Sequence, residues 1–180
     1  KADKLAALFN QPFSYYGMQL GHLGIAVAMT GVCLTVYYSE EKDLRMAPGE
    51  MVEIAGHEVT FKMMDKVQGP NYIADQGEFE VIRAGEKIAV LHPEKRFYET
   101  ARNMMTEADI DPGLFRDIYI ALGEPVGDTA WAVRVQYKPF VRWIWFGGLF
   151  IALGGLITLI DRRYRRVKLA SRQELGSVPV

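Results

Sequence analysis

Two long apolar runs bracket a middle stretch in which apolar and polar positions alternate. The first run covers about residues 17–38 and has no Lys, Arg, Asp or Glu; the second covers about 140–160 and has only Arg142. An apolar stretch of roughly 18 residues or more is long enough to cross a bilayer as a helix, so both runs are expected to be transmembrane helices. Tyr15, Tyr16, Tyr37 and Tyr38 flank the first run where interfacial aromatic side chains belong. Arg142, Trp143 and Trp145 play that part for the second, with the arginine reaching toward water. The surfaces of both runs are thinned by small residues: Gly17, Gly21, Gly24, Ala28 and Gly31 in one, Gly147, Gly148, Gly154 and Gly155 in the other. Gly17-xxx-Gly21 and Gly24-xxx-Ala28 are small-xxx-small pairs, which predict close helix neighbours.

The middle reads as strands. Met51-Val-Glu-Ile, His57-Glu-Val-Thr-Phe, Phe79-Glu-Val-Ile and Ile88-Ala-Val-Leu alternate or run apolar over a few residues each. Further strands are predicted over 116–122 and 130–137. Turn chemistry separates them at Pro48-Gly49, Ala55-Gly56, Gly69-Pro70-Asn71 and Ala84-Gly85. Short strands at such spacing predict a small antiparallel barrel or sandwich. Residues 104–111 fit either a loop or a short helix. Residues 1–10 read as a short amphipathic helix with Leu5, Leu8 and Phe9 on one side, bounded by Pro12.

Charge sets the orientation. Residues 39–137 carry 11 Lys+Arg against 19 Asp+Glu, whereas the rest of the chain has 10 against 3, so a net charge near zero conceals an acidic centre and basic ends. Arg162, Arg163, Arg165, Arg166 and Lys168 follow the second run directly, and Lys1 and Lys4 precede the first. Basic residues beside a membrane helix mark its cytoplasmic side. The expected class is therefore an α+β membrane protein: two transmembrane helices flanking an exported small antiparallel β barrel or sandwich. Its segments are a cytoplasmic amphipathic piece (1–14), a span (15–38), the exported β-rich domain (39–137), a span (138–160) and a basic cytoplasmic tail (161–180). An acidic middle does not fit a nucleic-acid binder, which needs a basic patch.

Candidate chemistry is sparse. The one cysteine, Cys33, falls in the first apolar run, which excludes an intramolecular disulfide and any CxxC element and suggests a small packing residue. No Ser/His/Asp arrangement and no glycine-rich phosphate loop is present. Of three histidines, His57 and His92 lie near turns in the middle and read as surface or strand histidines without a second ligand at metal spacing. Glu40-Glu41 reads as a solvated face, and Glu94-Lys95-Arg96-Phe97-Tyr98 as an exposed strand with one buried face. His22 differs, because an ionisable ring inside a membrane-length apolar run needs a partner, a cofactor or a water-filled cavity. Its helical neighbours Met18, Gln19, Ile25 and Ala26 offer a small or apolar surface. Two readings of His22 stand at this point: a haem ligand, or a side chain hydrogen-bonded to a neighbouring helix.

Longer stretches carry a resemblance. In order along the chain stand Tyr16-Gly-Met-Gln-Leu-Gly-His22-Leu-Gly, Gln68-Gly-Pro-Asn71, Pro93-Glu-Lys-Arg-Phe-Tyr98 and Met104-Met-Thr-Glu-Ala-Asp-Ile-Asp111. They are followed by Arg116-Asp-Ile-Tyr119, Ala121-Leu-Gly-Glu124, Trp131-Ala-Val-Arg134 and Tyr137-Lys-Pro-Phe-Val-Arg-Trp-Ile-Trp145, then Ala152-Leu-Gly-Gly-Leu and Asp161-Arg-Arg-Tyr-Arg165. Together they resemble the C-terminal part of the CcmF family of cytochrome c-type biogenesis proteins and its NrfE-like relatives. The resemblance implies a multi-pass component of the System I haem lyase in the bacterial inner membrane, with its central domain in the periplasm. Family members take haem from the haem chaperone CcmE and attach it to the CxxCH cysteines of apocytochrome c, which CcmH/CcmI present. A b-type haem held by two histidines is implied as well, with His22 matching one ligand to the haem iron.

The family's tryptophan-rich WWD motif, the histidines that hold incoming haem and the second b-haem ligand have no match here. They are expected in the remaining N-terminal part of CcmF, whether this chain is a fragment or a split subunit, so the chain alone is not expected to ligate haem. No catalytic residue is assigned. The competing readings are a non-catalytic membrane scaffold that docks maturation partners, and a b-type electron-transfer subunit.

Overall fold

The computed structural model describes residues 11–161. The predicted amphipathic segment over 1–10 and the basic cluster from Arg162 to Lys168 lie outside the described residues. Among the described residues two helices flank ten strands in sequence. These residues form two compact units, one built from the helices up to Val32 and from Trp143, the other spanning Cys33–Arg142.

Helix α1 is Phe13–Tyr38 and α2 is Val141–Ile160. Both are apolar enough to cross a membrane. The amide of Ser14 in the first turn of α1 donates to the Asp161 carboxylate at 2.9 Å, so an anion sits where unpaired N–H groups and the helix dipole favour one. The helices run antiparallel and touch through glycines. Gly17, Gly24 and Gly31 are the buried residues of α1, and Gly147 and Gly154 those of α2. A methyl group placed on Gly147 would lie 2.5 Å from the Ala28 amide nitrogen, and one on Gly154 2.5 Å from the Gly17 carbonyl. The backbones themselves therefore form the contact. The seam recurs every seven residues, the spacing that keeps one helix edge on its neighbour. It takes one member from the pair Gly17-xxx-Gly21, while Gly21, Gly148 and Gly155 face open space.

The strand unit is a β-sandwich. Its strands are β1 Glu40–Met46, β2 Met51–Ile54, β3 His57–Gln68, β4 Tyr72–Arg83, β5 Glu86–Leu91, β6 Glu94–Tyr98, β7 Asn103–Glu107, β8 Asp109–Pro112, β9 Arg116–Val126 and β10 Ala130–Pro139. One antiparallel sheet has the order β1-β10-β9-β8; the other runs β2-β3-β4-β6-β7, with β5 also paired to β4. Alternate residues face inward, as the two-residue period of a strand requires. Val59 and Phe61 (β3), Phe79 and Val81 (β4), Ile118, Ile120 and Leu122 (β9), and Val133 and Val135 (β10) fill the core. The Phe61 and Phe79 rings stack at its centre, with centroids 4.6 Å apart.

The six predicted strands are all present, and the predicted turns at Ala55-Gly56 and Ala84-Gly85 place Ala55 and Ala84 in the left-handed region ahead of their glycines. Three features differ from the sequence reading. Residues 40–46 form a strand, paired along its length with β10. Residues 103–107 and 109–112 form strands in opposite sheets where a loop or helix stood open. The hairpin β3–β4 is several residues longer at its tip than the apolar runs alone indicated.

Candidate functional site

Helix geometry settles which way His22 points. Five residues from Gly17, it is turned roughly 140° from that glycine around the helix, away from the seam with α2. Its side chain is exposed among the described residues, within a surface made by Met18, Ile25 and Met29, each 47–56% exposed. The ring atom Nδ1 lies 2.8 Å from the Met18 carbonyl oxygen. A carbonyl only accepts, so Nδ1 carries the hydrogen and donates it, leaving the lone pair of Nε2 directed off the helix. This is the tautomer that presents Nε2 to a metal while the other nitrogen is anchored by the backbone. Gly24 lies away from this face, in the seam with α2, where an added methyl would meet Gly147 O at 2.7 Å. Gly21 remains open, and Ile25 and Ala26 remain exposed. Cys33 lies in α1 with its thiol exposed, so it does not pack inside the described structure as expected.

The other histidines part company. His57 opens β3, a strand position as expected, yet it is 1% exposed and not at the surface. Its Nδ1 is 2.9 Å from Ala55 O, its ring centroid is 5.6 Å from that of Tyr137, and buried Nε2 has no hydrogen-bond partner. Burial holds its pKa below the ordinary histidine value, with the positive charges of Arg83 and Arg116 adding to the shift against hydrogen bonds to the Ala55 and Ile54 backbone. His92 is exposed, 4.0 Å from a Glu78 oxygen. Among the described residues no group of three or more His, Cys, Asp or Glu side chains is placed to hold a metal ion.

The charged tract on β6 is a strand, but its buried positions are polar. Glu94 and Lys95 are each 9% exposed, while Phe97 is 39% exposed. Glu94 accepts from Gln76 Nε2 and from Arg96 Nε, both at 2.6 Å. Lys95 donates to Thr106 Oγ1 at 3.1 Å and pairs with Glu124 at 2.8 Å; Thr106 Oγ1 donates in turn to Leu122 O of the opposite sheet. Burying these charges is tolerable because every one has a partner. The network ties β6 and β7 to β9. Glu41 lies on an ion-paired surface: Arg134 reaches it at 3.2 Å and grips both Asp43 oxygens at 2.7 and 2.8 Å, holding the Asp43 carboxyl below its usual pKa.

Residues 37–139, the sandwich with the chain ends that enter it, match the family model described as the CcmF C-terminal beta-sandwich. The chain belongs to the CcmF family. It is 56% identical over 164 residues to the cytochrome c-type biogenesis protein CcmF of Pseudomonas fluorescens, covering 91% of this chain and 25% of that protein. Against CcmF of Escherichia coli K12 the identity is 51% over 154 residues, covering 86% of this chain and 24% of the relative. The more distant NrfE of Haemophilus influenzae is 32% identical over 155 residues, again with 86% and 24% covered. A solved structure of the cytochrome c heme lyase CcmF superposes with a TM-score of 0.68 at 20% identity, covering 81% of this chain and 24% of that one. The CcmF fold is thus the fold of this chain. The chain spans about a quarter of the length of the curated relatives it matches.

Proposed function

We propose that this chain is the part of a cytochrome c haem lyase that would supply one ligand to the iron of a membrane b-type haem, through Nε2 of His22. One observation carries the reading. In a helix with no Lys, Arg, Asp or Glu, the imidazole stands on the face turned away from its own partner helix, with Nδ1 tied to the Met18 carbonyl. Such a ring invites a partner outside the described chain. The residues fit a haem: neutral imidazole is a good iron ligand, and Gly21, Ile25 and Ala26 put no bulky or charged group against a planar ring. When bound, the haem supplies an iron that takes up and gives back one electron. His22 holds and orients that iron, and the apolar face limits water around it. The second ligand lies on another part of the protein.

On this reading α1 and α2 cross the bacterial inner membrane, and the sandwich of residues 39–137 lies in the periplasm. The intact protein transfers haem from the chaperone CcmE to the CxxCH motif of apocytochrome c held by CcmH/CcmI. Family membership and the apolar surfaces of both helices support this placement. The test uses the intact membrane-embedded protein. His22→Ala is expected to abolish the reduced b-haem absorbance and cytochrome c maturation while protein accumulation is unchanged. His22→Gly with added imidazole is expected to regain part of the absorbance. A normal haem spectrum in the His22→Ala protein would overturn the assignment. His57→Ala and His92→Ala should leave the spectrum as it is.

A further inference from the structure

The turn between β8 and β9 has the wrong residues for water. The described hairpins β2–β3 and β4–β5 turn through Ala55-Gly56 and Ala84-Gly85, and β9–β10 through Gly127 and Asp128. At the same place β8–β9 carries Leu114 and Phe115, which are 50% and 55% exposed. Turn tips favour Gly, Asn, Asp and Ser, and both large residues leave at least half of their surface exposed. The turn is held shut below them. Gly113 N–H donates to Arg116 O at 2.8 Å and to Asp117 Oδ1 at 3.1 Å, and Arg116 is paired to Asp111. The charges of the turn are thus tied back toward the strands while the apolar pair projects.

The same turn is locked to the root of α2. Phe140, the residue between β10 and α2, has φ +58°, an unusual conformation for a bulky residue. Its amide donates to Phe115 O at 3.0 Å, and the two rings meet edge-on with centroids 5.9 Å apart. Thr35 near the end of α1 donates through its hydroxyl to Pro139 O at 2.6 Å, so both helix ends and the turn share one rigid corner of the strand unit. Phe140 precedes the apolar helix by one residue, and Tyr37 and Tyr38 end the other. A strained backbone conformation of this kind persists where the surroundings require it.

We propose that Leu114 and Phe115 insert into the headgroup–acyl boundary of the bilayer, so that this turn is a third point at which the chain enters the membrane surface. The occupant follows from continuity: the turn adjoins the first residue of a membrane-length helix, at the level where interfacial aromatics sit. The proposal rests on the reading of α1 and α2 as spanning helices.

The test is site-directed spin labelling of the intact protein in lipid nanodiscs, in a cysteine-free background with single cysteines at Leu114, Leu149 and Phe97. Accessibility to oxygen, which partitions into lipid, is compared with accessibility to a water-soluble nickel chelate. A label at 114 is expected to favour oxygen at least threefold over a label at 97 and to report a boundary depth, shallower than the label at 149. A label at 114 as open to nickel as the one at 97 would overturn the insertion, as would a label shielded from both reagents, which places protein over the turn. A label at 149 as open to the nickel chelate as the one at 97 would refute the spanning reading itself, a result distinguishable from either outcome at 114.

Discussion

The helical unit and the sandwich are built inside out with respect to each other. In the sandwich the large apolar side chains are inside: Phe61, Phe79, Ile118, Ile120 and Leu122 are fully buried. In the helices the buried residues are glycines, while Met18, Leu23, Ile25, Leu149, Leu153 and Leu156 stand 41–53% exposed. Apolar burial worth roughly 25 cal/mol per Å² organises the first in water. It supplies nothing to a helix pair whose surroundings are as apolar as its side chains, where close backbone packing takes over. The difference is the one expected if the two units have different surroundings, apolar for the helices and water for the sandwich. It supports the membrane placement proposed for this member of the CcmF family.

The contrast is broken most severely at the sandwich core. Phe61→Ala removes one half of the stacked Phe61–Phe79 pair from a site with no exposure, and large-to-small changes of this kind cost about 3–5 kcal/mol. The expected outcome is a large fall in the thermal unfolding temperature of the intact protein, or its loss from membranes. A change within a degree would mean that the sandwich is not an independently packed core.

A smaller and more discriminating effect is expected in the helices, where adjacent glycines provide their own control. Gly154→Leu drives a side chain into the Gly17 and Gly21 backbone, a degree of overpacking that typically costs about 1–3 kcal/mol. Gly155→Leu enters open space and should be tolerated. Accumulation and thermal unfolding of the intact protein carrying each variant read the difference. Equal damage from both would show that the open glycines are packed by other helices of the whole protein.

The sequence made these two logics legible to different degrees. The helices were plain from apolar length, and His22 stood out because its ring interrupts an otherwise uncharged run. The core strands were plain from alternation. Strand β1, Glu-Glu-Lys-Asp-Leu-Arg-Met, was not, because it is an edge strand whose exposed positions carry charges and whose order comes from pairing with β10, more than 80 residues away. Buried Glu94 and Lys95 were hidden for the same reason, since Gln76, Thr106 and Glu124 become their partners only once the sheets close. The glycine seam was visible as a material but not as a face. The pairs four apart drew attention to Gly21, whereas the packed set is spaced by seven.

The smallest expected effect concerns His57, the polar group that least obeys the sandwich's rule of apolar interiors. Its ring is buried with Nε2 unpartnered, so the charged form is disfavoured in the fold and its pKa lies below the ordinary 6.5. The unfolded chain then binds the proton first as pH falls. Stability is fully present above pH 6.5, declines below it as the unfolded state alone is protonated, and levels off once the folded histidine also titrates. One proton limits the slope to about 1.4 kcal/mol per pH unit. Thermal unfolding of the intact protein between pH 7.5 and 5.5 is expected to be steeper in pH than that of the His57→Gln variant, which keeps a polar side chain at the site without the titration. Parallel profiles would mean that Nε2 reaches a proton acceptor or water in the folded protein, and that His57 belongs with the satisfied polar groups of β6 instead of standing as the exception in the core.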